Sequence, residues 1–159
     1  MQPILEQRTL NAPIQRVWDV VTDLDDAAGQ RSTVTDVERL TEGEFGVGTR
    51  WRETRQGPMD ITIEPEVTDC DPPETFSVRF DTAAGPLNLT YRLEPRGERS
   101  THVTMSMNSG ESSGVVDSVR RAASVVGTPA VAKLMRQDLE DLAAIVEPPL
   151  NPDTADDAP

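Results

Sequence analysis

Few side chains in this sequence have a type and a setting that could do chemistry, and Asp138 is the sharpest of them. On a helical projection of residues 129–146 it falls near the centre of the apolar arc, between Leu134 and Leu142, whereas Lys133, Arg136, Gln137 and Glu140 lie outside it. An unpaired carboxylate in that position is costly, so Asp138 must face a wet cavity or meet a cation, such as an inward arginine from a strand. Arg50, Arg52, Arg55, Arg79 and Arg92 could supply one, although most belong to outer faces. A carboxylate so placed is either one half of a structural pair, or else a polar anchor for a ligand or a group with a raised pKa. Tyr91 sits among apolar residues on a strand and is the second candidate. Together with Asp138 it could assist proton transfer inside an enclosed pocket.

The other reactive residue types have simpler readings. His102 is the single histidine, so a histidine dyad would have to use it. Its parity groups it with Thr104 and Ser106, opposite Val103 and Met105, which points it at solvent. The single Cys70 can form neither an internal disulfide nor a cysteine-based metal site, and reads as a small residue near a strand end. Asp60, Glu64, Glu66, Asp69 and Asp71 could suggest a divalent-cation site, but their spacing and turn positions fit solvated edges better. Gly46-Val47-Gly48 lacks the strand-to-helix setting of a phosphate loop and reads as a turn. No metal and no cofactor is expected.

What must position Asp138 is the helix that carries it. At about 100° per residue, Val131, Leu134, Met135, Leu139, Leu142, Ile145 and Val146 share an arc of roughly 140°. Val115, Val116, Val119, Ala122, Ala123 and Val126 form a second stripe, but on one straight helix its centre lies about 140° from the first. The spacing therefore predicts a shorter helix over 113–126, a break at Gly127-Thr128-Pro129, and a main helix over 129–146 stopped by Glu147-Pro148-Pro149.

Most of the preceding chain reads as strands. Ile4–Leu10 is the first. Asn11-Ala12-Pro13 then opens a helix, with Asn as the nearby cap and Ile14, Val17, Trp18 and Val21 on one face. Thr22-Asp23 caps a second short helix, about Leu24 to Ala28. Val34–Leu40 and Thr49–Arg55 flank a glycine-rich turn. Beyond Gly57-Pro58, Met59, Ile61, Ile63 and Val67 share a parity, interrupted by Pro65, which marks an edge or a bulge. Phe76, Val78 and Phe80, then Leu87, Leu89, Tyr91 and Leu93, then Val103, Met105 and Met107 alternate with polar residues. An antiparallel meander with one apolar face follows, and the closing helix is the element long enough to cover it. The expected class is α+β: a curved antiparallel sheet of about six to seven strands wrapped around a long C-terminal helix, with two short helices after the first strand. One helix cannot fill a concave face that carries this many large residues, so an internal apolar cavity is expected. Trp51, Met59, Ile61, Ile63, Phe76, Val78, Phe80, Leu87, Leu89, Tyr91, Met105, Leu134 and Asp138 are its expected lining.

Length and charge bound the rest. At 159 residues the chain can form one domain, expected over 1–147, ahead of an acidic Pro-containing tail over 148–159 expected to be disordered. The formal charge of −13 disfavours nucleic acid and anionic membranes. No apolar run approaches the roughly 20 residues of a membrane span, so no stable membrane insertion is expected. With no secretory leader pattern at the N-terminus, a cytoplasmic location is the expectation. Nothing in the sequence sets an oligomeric state.

Several phrases resemble the bacterial polyketide cyclase/dehydrase and lipid-transport family of the START/Bet v 1-like (SRPBCC) superfamily. They are Asn11-Ala12-Pro13 followed by Val17-Trp18 and Asp23-Leu24; Gly46-Val47-Gly48-Thr49-Arg50-Trp51; Val67-Thr68-Asp69 with Asp71-Pro72-Pro73; and Asp138-Leu139 with Leu142-Ala143. The resemblance implies the helix-grip fold and an elongated, mostly apolar pocket between sheet and last helix. It implies binding or transport of a lipid-like, aromatic or polyketide-like molecule, or else an aromatase/cyclase-like enzyme working through Asp138 and Tyr91 in the same pocket. Superfamily members have no shared catalytic residues that map onto this sequence.

Overall fold

Alternating apolar and polar residues make strands with one buried face, and the longest such runs here pair in sequence order. β6 (Thr75–Thr82), β7 (Gly85–Pro95) and β8 (Thr101–Ser109) form an antiparallel meander, and β1 (Ile4–Leu10) pairs with the free side of β8. Register sets the inward rows. Phe76, Tyr91 and Met105 stand side by side across three strands, with Val78, Leu89 and Met107 in the next row. In the computed structural model, residues 3–57, 60–83, 85–110 and 128–148 are described. Met59, the helix expected over 113–126 and the tail from 149 onward lie outside them.

β5 (Glu66–Asp71) pairs with the outer side of β6, while β2 (Val34–Arg39), β3 (Trp51–Arg55) and β4 (Ile61–Ile63) make a three-stranded sheet. Pro65 is the seam between the two sheets. β3 pairs with β4 through Glu53↔Ile63 and Arg55↔Ile61, and the same register continues to a bridge between Arg50 and Glu66 at the start of β5. Between them, the Pro65 carbonyl accepts the Trp51 N–H at 3.3 Å, but proline has no N–H to return. β4 and β5 therefore act as one strand, handed from β3 to β6. With them the whole is a curved antiparallel sheet in the helix-grip manner.

α1 (Ile14–Val21) buries Val17, Trp18 and Val21, as its spacing predicts. Its expected Asn11 cap is not used. Pro13 stands at the N-cap position without a side-chain bond, and the Asn11 N–H goes to Glu147 Oε1 at 3.1 Å. α2 (Ala27–Gln30) begins later than the expected Leu24, because Asp23 Oδ1 accepts the N–H groups of Asp25 and Asp26 at 3.2 and 3.3 Å and holds a turn first.

α3 (Thr128–Val146) lies on the apolar face and buries Met135, Leu139, Leu142, Ala143 and Val146 against it. It runs alongside β1. Arg136 Nη1 meets Glu6 Oε1 at 3.0 Å midway, and the Asn11–Glu147 bond joins their ends. Arg16 of α1 caps the helix, with Nε on the Val146 carbonyl at 3.1 Å and Nη2 on that of Ile145 at 3.0 Å, so carbonyls left over at the helix end find donors. No described helix is long and apolar enough to cross a membrane.

Candidate functional site

Alternation along β3 places Trp51, Glu53 and Arg55 on one face, and Asp138 projects from α3 toward them. Arg55 spans the gap with two parallel bonds, Nη1 to Oδ1 and Nη2 to Oδ2 of Asp138, each 3.0 Å. The same Nη1 reaches Thr33 Oγ1 at 3.2 Å, and Nε donates to Glu53 Oε1. The other oxygen of Glu53 accepts Trp51 Nε1 at 3.2 Å and lies 3.7 Å from Arg31 Nη1. Arg31 Nη2 in turn donates to the Val21 carbonyl at 3.2 Å. Two arginines thus face two carboxylates, and the formal charges cancel. Glu53 is 2% exposed and Asp138 8%.

Removing four charges from water is tolerable only where each finds an opposite charge and good hydrogen bonds. Burial works to raise the Glu53 carboxyl, yet Arg55 and Arg31 outweigh it and hold the pKa below its ordinary value. Burial likewise works against the Arg55 and Arg31 charges. Asp138 and Glu53 more than offset it at Arg55, and Tyr91, Asp138 and Glu53 do so at Arg31, so both guanidinium pKa values are raised. Tyr91 adds a neutral donor. Its ring stacks on Phe76 with centroids 4.8 Å apart, and burial above all pushes its hydroxyl up to about 12. Among the described residues that hydroxyl has no hydrogen-bond partner, although Tyr91 is only 4% exposed.

Arg31, Tyr91 and Asp138 share a pocket with Val20, Val21, Gln30, Leu142 and Ile145. Its volume is about 20 Å³, room for one water-sized group. On the same faces, toward the start of β7 and the start of α3, Leu89, Leu87 and Leu134 are half-buried, as is Ile63 on β4. Val78, Phe80 and Met105 are buried in the sheet's apolar face. Trp51 belongs to an aromatic group with Phe45, Trp18 and Phe76, in which Phe45 and Trp18 meet Phe76 edge-on at 5.2 and 5.6 Å. Ile61, opposite Arg55, is 39% exposed. His102 lies on the outer face, its Nδ1 2.9 Å from Thr9 Oγ1 and its Nε2 3.1 Å from Gln7 Oε1. Among the described residues no group of three or more His, Cys, Asp or Glu gathers to hold a metal ion.

Sequence reasoning misses two members of the cluster, Glu53 and Arg31. Glu53 leaves a signal, since it shares parity with the apolar Trp51 and the inward Arg55. Arg31 follows α2 in no periodic element, so nothing in its neighbourhood marks it.

A model of the family described as polyketide cyclase/dehydrase and lipid transport matches residues 1–147. No curated protein matches the sequence. Solved structures do. A protein from Arthrobacter aurescens is 21% identical with a TM-score of 0.68, over 94% of this chain and 88% of that one. Protein Ms6760 from Mycobacterium smegmatis is 13% identical with a TM-score of 0.71, over 94% and 93%. The di-domain ARO/CYC StfQ of the steffimycin biosynthetic pathway is 14% identical with a TM-score of 0.65, over 90% of this chain and 44% of StfQ. At such identities the likeness concerns the fold.

Proposed function

The chain belongs to the polyketide cyclase/dehydrase and lipid transport family, and from that premise we propose that it binds a hydrophobic small molecule between the curved sheet and α3. The observation that carries this is the layout of the inward face. Arg31, Tyr91 and Asp138 line one pocket with the apolar Val20, Val21, Leu142 and Ile145, and the half-buried Leu89, Leu87 and Leu134 stand further along the same faces of β7 and α3. Ligand sites are commonly apolar with a few convergent polar groups that fix orientation. In this reading Ile63, Phe76, Val78, Phe80 and Met105 complete the apolar walls. Native mass spectrometry of protein purified without denaturation tests the proposal. An apolar adduct that a competing hydrophobic dye displaces supports it; a bare chain that binds no such dye contradicts it.

A second reading is a cyclase-like enzyme, favoured by the meeting of Tyr91 and Asp138 in one pocket. Their states define what they could do. Arg55 occupies both oxygens of Asp138, and Tyr91 keeps its proton at neutral pH. The pair suits polarising a carbonyl with a hydrogen bond better than removing a proton. Turnover of polyketide-like substrates lost in Tyr91→Phe and retained in Asp138→Asn would favour that role.

A further inference from the structure

We propose that the pocket shared by Arg31, Tyr91 and Asp138 receives an uncharged oxygen, a hydroxyl or a carbonyl, as the buried end of the ligand. This rests on the binding reading above and narrows the class of molecule it admits.

Charge balance is the first reason. Arg31 and Arg55 already face Glu53 and Asp138, so an entering carboxylate or ammonium would bring a net charge with no counter-ion left to meet it. Burying an unmatched ion is far more costly than burying a hydrogen-bonded neutral group. The second reason is a surplus of donors. The Tyr91 O–H has no acceptor among the described residues. Arg31 makes one close hydrogen bond, to Val21, and only a 3.7 Å approach to Glu53, so N–H groups of its guanidinium remain available. Both residues line the same pocket.

Beside the Asp138 carboxylate and the Gln30 amide, the unused donors of Tyr91 and Arg31 leave room for one more acceptor. A ketone oxygen supplies one. An alcohol or phenol supplies one and can also donate to Asp138, whose oxygens retain lone pairs beyond the two bonds from Arg55. The pocket's volume of about 20 Å³ fits the oxygen and little more, so the ring or chain that bears it must lie beyond this pocket. Because the Tyr91 hydroxyl ionises only near pH 12, it remains a donor at any ordinary pH.

The test is a calorimetric titration of the full chain at neutral pH with naphthalene, naphthol, naphthoate and naphthylmethylammonium. Naphthol is expected to bind about fivefold more tightly than naphthalene, in proportion to one or two neutral hydrogen bonds, and both ions more weakly than naphthalene. In Tyr91→Phe, naphthol affinity should fall toward that of naphthalene, with naphthalene unchanged. Naphthoate binding as tightly as naphthol would overturn the proposal, as would naphthol binding no better than naphthalene, the behaviour of a pocket that holds only a structural water. These rankings are read on the unaltered protein, so they decide even if the variant does not fold. If no member binds, naphthalene included, the binding reading itself fails.

Discussion

Tyr91 is the only tyrosine, so its ionisation can be followed by absorbance without interference from another. Burial favours its neutral form, and the stability this contributes is fully present below the ordinary pKa of 10 and lost as the pH climbs toward about 12. Tyrosinate absorbance is expected to appear near pH 12 or with alkaline unfolding; a clean midpoint at 10 in folded protein would contradict the buried placement. Glu53 has the opposite sign. Its carboxyl is held below 4.5, so its contribution is complete above that pH and is lost as the pH falls through the lower folded value. Glu53→Gln should be less stable than the parent at neutral pH and lose less stability on acidification, which thermal melts across the acid range would show. A variant that parallels the parent at every pH would mean that Glu53 is not ionised and paired. Asp138 could be found from sequence because a carboxylate in an apolar helical arc breaks a short-range pattern. Its partner could be narrowed to an inward arginine among five. Choosing Arg55, and adding Arg31, needed contacts between residues far apart in the chain, which periodicity does not carry.

At the scale of elements, Arg55 and Asp138 join β3 to α3 across the layers. Removing one partner leaves the other's charge buried, whereas replacing both by apolar residues does not. Asp138→Ala should therefore cost about 3 kcal/mol in denaturant unfolding, and Arg55→Met with Asp138→Leu should recover part of the loss, since Glu53 then loses its Arg55 donor and keeps Arg31 at 3.7 Å. Equal and additive losses would show the bridge to be uncoupled. The strands of the central meander were legible because alternation is a local signal, and β6, β7 and β8 carry it without interruption. The union of β4 and β5 was only half legible. Pro65 announces a break in pairing, but the register that carries β3 past it is set by partners on both sides. The late start of α2 was hidden by Asp23, which can cap a helix or close a turn and here closes the turn.

At the scale of the whole molecule, fold and ligand are separate questions, since this architecture positions an apolar face beneath a helix without specifying the chemistry inside it. In this chain that face carries a charge-balanced polar floor, with half-buried leucines further along the same strand and helix faces. Methyl-labelled NMR during a titration with naphthol asks directly where a hydrophobic molecule goes. Saturable shifts are expected at Leu87, Leu89, Leu134 and Met105, with none at Leu5 and Val47, which are 59% and 69% exposed. Shifts confined to those exposed methyls, or no saturable shift at all, would contradict a ligand seated between sheet and helix.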